Sequence, residues 1–310
     1  MTPDVFRFFL NFRHPDPIRG AIKSVQGRRL AVELISQNDD EIAQAMPSRV
    51  RWPSEAPRQF FFDRSSRSEH LTNVRTFIIG ASGGIGAATA RWLRASGHDV
   101  TLAGRQSETL LALAAELGCS AVRVDASDFD ALDAAVQEAG PIGAIVNCAG
   151  SLLLKPSHLT TAKDYQDTIA ANLTTAFATV RAGAKAMMSS GGSIVLCATA
   201  AARTGFANHE AIAAAKGGVI GLTLSAASTY GARNIRVNCV APGLVETPLT
   251  TRITQSAAGL KASQSMHALG RIGRPEDVAS AIAWLVDPGN SWITGQVLGV
   301  DGGLGTVRPR

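Results

Sequence analysis

Thr76-Phe77-Ile78-Ile79-Gly80-Ala81-Ser82-Gly83-Gly84-Ile85-Gly86 is the stretch on which the fold turns. The first four residues, apolar or β-branched, read as a short buried strand. The glycines that follow, spaced G-x-x-x-G-x-G, read as a strand-to-helix turn, with residues 87–95 as the helix it feeds. Glycines at such a turn let the backbone approach a pyrophosphate, and the unbonded N–H groups of a helix N-terminus favour an anion. Gly80, Ser82, Gly84, Ile85 and Gly86 are therefore candidate cofactor-binding residues.

The same strand-then-helix rhythm continues to the C-terminus. Short β-branched or apolar runs at 76–79, 100–103, 121–124, 144–146, 193–196, 236–240 and 296–300 are separated by Ala/Leu-rich stretches of helical length. Alternation of this kind implies an α/β domain with a parallel sheet covered on both faces. Residues 74–310 are read as one domain, a doubly wound, seven-stranded, Rossmann-like sheet with about six helices.

Strand ends carry the next candidates, because open α/β sheets bind ligands at the carboxyl ends of their strands. The second strand ends Leu102-Ala103-Gly104-Arg105. An acidic residue here would hold a ribose 2′-hydroxyl. Gly104 offers no carboxylate to repel a 2′-phosphate, and Arg105 offers a guanidinium to grip one, so NADP(H) is expected in preference to NAD(H). Asp125 follows the third strand and is placed to meet the adenine amino group. Asn147-Cys148-Ala149-Gly150 follows the fourth: Asn147 is expected to tie strands together, and Ala149 and Gly150 to leave room for the cofactor.

The remaining composition narrows the function classes. Net charge is +5, without long Lys/Arg blocks, which reads as a solvated surface and argues against a nucleic-acid partner. No apolar run reaches the roughly 18 residues of a membrane span. Cys119, Cys148, Cys197 and Cys239 form no Cys-x-x-Cys and read as small buried side chains in a reducing compartment. No metal cluster is expected, and without a secretory or transit pattern at the N-terminus the expected location is cytoplasmic.

Residues 1–73 differ in character. They hold ten Arg, one Lys, nine acids and seven of the eleven Phe. An aromatic run at 6–12 and a candidate helix at 29–46 are followed by irregular chain at 47–70. The segment is expected to be a poorly ordered extension or the product of an upstream start codon, with a small docking segment as the alternative.

In this register the chain resembles the short-chain dehydrogenase/reductase family over essentially all of residues 74–310. The likeness rests on the Gly80–Gly86 turn, Asn147-Cys148-Ala149-Gly150, Asn172, Gly192-Ser193-Ile194-Val195, Lys216-Gly217, and Val237 through Thr247. It also rests on Gly273-Arg274-Pro275-Glu276-Asp277-Val278, Thr294-Gly295-Gln296 and Val300-Asp301-Gly302-Gly303. The resemblance implies a nicotinamide dinucleotide, a small-molecule substrate, and a homodimer or homotetramer built on the long helices. It further implies that Pro242 and Gly243 border the cofactor and that Thr247 meets the nicotinamide carboxamide.

The resemblance implies a catalytic Asn, Ser, Tyr and Lys. These fall on Asn172, on Thr199 (thirteen residues before the Tyr position), on Ile212 and on Lys216. Thr199 keeps a hydroxyl. Ile212 has no proton to give, and general acid–base help is commonly worth roughly 10²–10⁴ in rate. His209 and Lys216 would share a helical face with Ile212, so His209 is a candidate proton donor, helped by Thr199. In the competing reading His209 only opens the helix beside Asn208, itself a good N-cap candidate. Lys216 would retain its ribose contact. Glu246 and His267, in the expected substrate lid at 244–271, carry no assigned role. Two functions follow: an NADP(H)-dependent oxidoreductase with an atypical proton donor, or a cofactor-binding scaffold or sensor with impaired catalysis.

Overall fold

The computed structural model describes residues 75–105 and 107–308. The expected elements at 6–12 and 29–46, and the rest of residues 1–73, lie outside them. Seven strands form one sheet: β1 (Thr76–Ile79), β2 (Val100–Gly104), β3 (Ser120–Arg123), β4 (Ala144–Asn147), β5 (Gly192–Cys197), β6 (Ile235–Pro242) and β7 (Val297–Val300). All pair in parallel, in the order β3-β2-β1-β4-β5-β6-β7. The chain winds outward one way from β1 to β3 and the other way from β4 to β7. The crevice at the carboxyl ends of β1 and β4, where the order reverses, is the natural ligand position. The expected doubly wound sheet is thus observed.

The helices are α1 (Gly84–Ala95), α2 (Ser107–Leu117), α3 (Phe129–Glu138), α4 (Ala162–Ile169), α5 (Thr175–Met187), α6 (Glu210–Tyr230), α7 (Thr251–Thr254), α8 (Ala257–Met266) and α9 (Pro275–Val286). They cover both faces of the sheet, and the strands show why. Every residue of β1 is buried: Phe77 and Ile79 enter one core layer, with Ile145, Ile194, Val180 and Val219, while Ile78 enters the other, with Leu93, Val146, Val195 and Ile282. A strand buried on both sides has no polar face, hence the unbroken apolar runs.

Three local expectations need correction. The helix after the glycine turn starts at Gly84, not at residue 87, so the last glycines are its first turn. Gly86 lies too close to the Gly80 carbonyl to carry a Cβ, which explains a poor helix former inside a helix. The helix carrying Asn172 is also not regular: α4 passes through a π-turn, Ala170–Thr174, into α5. Finally, α6 extended to Arg233 is apolar and long enough to cross a membrane by length and composition. It packs instead against β6, α4 and the π-turn.

Arg236 in β6 is an unforeseen structural residue. It is buried, and its guanidinium donates to the carbonyls of Leu285 (2.8 Å), Val286 (3.3 Å) and Asp287 (3.3 Å). A cation there satisfies the unbonded carbonyls at the end of α9 and opposes the helix dipole.

Candidate active site

The glycine turn is built from backbone proximity. Gly80 has φ +75°, and a Cβ on it would stand 2.5 Å from the backbone nitrogen of Ala149. No other residue suits that position, which seats the turn after β1 against the loop after β4. Gly83 occupies the N-cap of α1 without a side-chain cap, and no acidic residue lies in the first turn. The N–H groups of Gly84, Ile85 and Gly86 precede the bond from Ala87 N to Gly83 O (2.8 Å) that starts the helical ladder. An uncapped helix start of this kind suits a pyrophosphate. Across it, a Cβ on Gly84 would lie 2.6 Å from Cγ2 of Thr247. The loops after β1 and β6 therefore meet at Gly84, with Pro242 and Gly243 leading into Thr247.

Arg105 is exposed just past β2, and Asp125 is exposed just past β3. The Asp125 carboxylate accepts from Ser127 N (2.9 Å) and Ser127 Oγ (2.7 Å). Those two bonds, and then the Arg105 charge, hold its pKa below the usual value. The two residues thus sense one another at the carboxyl ends of β2 and β3. Asn147 does not tie strand to strand as expected. Its Nδ2 donates to Thr179 Oγ1 on α5 (2.8 Å), and its Oδ1 accepts from Ala149 N (2.8 Å). It clamps the cofactor-side loop to a helix.

At the other end, Asn172 and Lys216 meet over Gly150. A Cβ on Gly150 would stand 2.8 Å from Asn172 Oδ1 and 3.5 Å from Lys216 Nζ. The buried Asn172 side chain donates to Thr168 O (2.9 Å) and Ser151 Oγ (3.0 Å) and accepts from Ser151 N (3.2 Å). A π-turn aims it there, as such turns often do at functional sites. Lys216 is also buried and donates to Cys197 O (2.6 Å). Burial lowers its pKa, opposed by the neighbouring thiols of Cys197, Cys148 and Cys239. Burial raises the pKa of each of those thiols in turn, that of Cys239 to about 11.

Thr199 follows β5. Its hydroxyl accepts from Ala201 N (3.3 Å) and donates to Pro242 O (3.5 Å), joining the loops after β5 and β6. Ile212 is buried, 3% exposed, on the face of α6 that also carries Ala215, Lys216 and Val219. The predicted proximity of position 212 to Lys216 is therefore observed. His209 behaves differently. It is itself the N-cap of α6, without a side-chain cap bond, while Asn208 adopts a left-handed φ of 64°. The expectation of Asn208 as N-cap is thus corrected. The His209 ring hydrogen-bonds to Ala207 O (2.8 Å) and lies 5.6 Å from the Phe206 ring, and neither Thr199 nor Lys216 is among these partners.

Ser151 escaped the sequence reading, and His267 was named there without a role. Ser151 is signalled only by its place after Gly150. His267 is buried; its Nδ1 donates to Ser263 O (2.6 Å) and its Nε2 accepts from Leu244 N (3.2 Å), anchoring the start of the 244–271 segment. Behind this contact lies a cavity of about 570 Å³ bordered by Gly243, Leu244, His267, Arg271 and Asp301.

Comparisons with known proteins agree with this architecture. Residues 80–305 match the family described as "Enoyl-(Acyl carrier protein) reductase". The chain is 34% identical over 251 residues to trans-4-hydroxycyclohexanecarboxylate dehydrogenase from Sinomonas cyclohexanicum, covering 76% of this chain and 94% of that protein. It is 34% identical over 237 residues to galactitol 2-dehydrogenase (L-tagatose-forming) from Cereibacter sphaeroides, covering 73% and 92%. Among solved structures, a short-chain type dehydrogenase/reductase from Mycobacterium ulcerans superposes with a TM-score of 0.73 at 29% identity, covering 77% of this chain and 92% of that one.

Proposed function

Because the chain belongs to the short-chain dehydrogenase/reductase family, we propose that it is an NADP(H)-dependent oxidoreductase acting on a carbonyl or quinone-like small molecule, with a proton donor other than a phenol at position 212. The observation that carries this reading is the retained pairing of Asn172 and Lys216 over Gly150, beside a helix start open to an anion. When bound, the nicotinamide supplies or accepts the hydride.

The chain's own residues divide the remaining work. Gly80, Ser82, Gly84, Ile85 and Gly86 hold the pyrophosphate, with Asn147, Ala149, Gly150, Pro242, Gly243 and Thr247 bordering the rest of the dinucleotide. Arg105 selects the 2′-phosphate, for lack of a carboxylate at Gly104, and Asp125 meets the adenine. Asn172 and Thr199 orient the substrate oxygen. The relatives named above are dehydrogenases, which supports an enzyme over a scaffold. Four free cysteines fit a reducing, cytoplasmic setting. A groove between α5 and α6, lined by Phe177, Met188 and Leu222, suits a homo-oligomer built on these helices. Residues 1–73 form an extension to this catalytic domain of residues 74–310.

The test is NADPH consumption against quinones, diketones, aldehydes and ketones, with Ile212→Tyr assayed in parallel. Turnover by the natural protein is expected, with a gain in the variant on ordinary ketones approaching the ~10²-fold worth of an acid–base group. Turnover confined to Ile212→Tyr would instead favour the scaffold.

A further inference from the structure

Resting on the oxidoreductase reading, we infer that the Lys216 ammonium, facing the space over Gly150 beside Asn172, is itself the group that delivers a proton to the substrate oxygen. The protic groups around that space narrow the choice. Ile212 has none. The Thr199 hydroxyl is engaged with Pro242 O and Ala201 N, and has the weak acidity of any alcohol. The Ser151 hydroxyl, which accepts from Asn172, has the same weak acidity. The His209 imidazole is turned to Ala207 O and the Phe206 ring. The thiols of Cys148 and Cys197 are made weaker acids by burial.

Lys216 is the exception. Its Nζ has one hydrogen-bond acceptor, Cys197 O, and would lie 3.5 Å from a Cβ on Gly150, a position the glycine leaves empty. The titratable groups facing it are Cys148 at the end of β4, Cys197 at the end of β5 and Cys239 in β6. No carboxylate stands among them to pin the charge. Burial destabilises the ammonium and so strengthens it as an acid, the direction a proton donor near neutral pH requires. In the reductive direction one N–H bond of Lys216 breaks and one O–H bond forms on the substrate. The electron pair on that oxygen is the one displaced from the carbonyl by the incoming hydride. A neutral amine remains and regains its proton from water.

Two measurements test this. The first needs no cofactor: the Lys216 side-chain resonance, identified by its absence in Lys216→Met, is followed by NMR against pH. It is expected to titrate below the exposed lysines of the chain, because burial disfavours its charged form. The second is Lys216→Arg, which keeps a cation but holds its proton at all accessible pH. Assayed at saturating NADPH, so that any change in cofactor affinity is set aside, its turnover is expected to fall at least ~100-fold. Lys216 titrating with the surface lysines, or Lys216→Arg turning over at the natural rate, would overturn the proton-donor role alone. A natural protein that binds no NADPH, or reduces nothing in the panel, would overturn the oxidoreductase reading beneath it. The Lys216 titration is scored separately from either result.

Discussion

Arg105 and Lys216 are the residues at which small changes in side chain decide most. Arg105→Ala tests the NADP(H) proposal, since Arg105 is the exposed cation just past β2 among the described residues. Charge-assisted bonds are worth about 1.5–3 kcal/mol, so NADPH affinity should fall roughly tenfold or more while NADH affinity stays nearly constant in a fluorescence titration. Equal losses would contradict the assignment. Lys216 also couples folding to pH. Its folded pKa is depressed, so between the folded and unfolded values the unfolded chain binds more protons, and stability rises with pH across that window. Urea unfolding of the cofactor-free protein should therefore show the natural chain gaining on Lys216→Met as pH climbs from 7 to 10. A constant difference would mean that Lys216 is not depressed. At this scale the sequence was legible for Ile212 and Lys216, because helical spacing sets that they share a face, whereas Asn172 was placed only by the family resemblance. It was not legible for His209, since the left-handed backbone at Asn208 turns the chain just before the helix begins.

Among the elements, the loop after β4 depends on one amide. Asn147 is 3% exposed and satisfies both a hydroxyl on α5 and a backbone N–H of its own loop. Asn147→Ala leaves the part-buried Ala149 N–H without its acceptor and removes one of two bonds at Thr179 Oγ1, which still donates to Thr175 O (2.7 Å), at about 1–3 kcal/mol in all. The urea midpoint should drop accordingly, and NADPH binding should weaken with it, because the same loop abuts Gly80. An unchanged midpoint would show that water replaces the amide. Strand positions were readable from apolar runs because both faces of the sheet are covered. Their ends were not: β6 runs on to Pro242, which can close a strand but donates no bond within it. The π-turn was equally hidden, since Ala170-Ala171-Asn172-Leu173-Thr174 contains neither glycine nor proline to punctuate a helix.

For the molecule as a whole, the two core layers are built, among the described residues, from elements within 76–300. A chain beginning at Leu71 is therefore expected to fold and to bind NADPH as the full chain does, checked by circular dichroism and fluorescence titration. Insolubility of the shortened chain would make the N-terminal segment part of the fold. The unbroken path from Ala162 to Met187 has one further consequence. Loss of a single codon within 170–174 would turn the wide turn into an ordinary one, because a π-turn holds one residue more than the α-turn that could stand in its place. Val180, Ala184 and Met187 would keep their places against the sheet, while the turn that aims Asn172 at Gly150 would be gone. A one-residue deletion here would therefore spare the core and strike the chemistry, whereas the same deletion in the regular turns of α5 would rotate all that follows by about 100°.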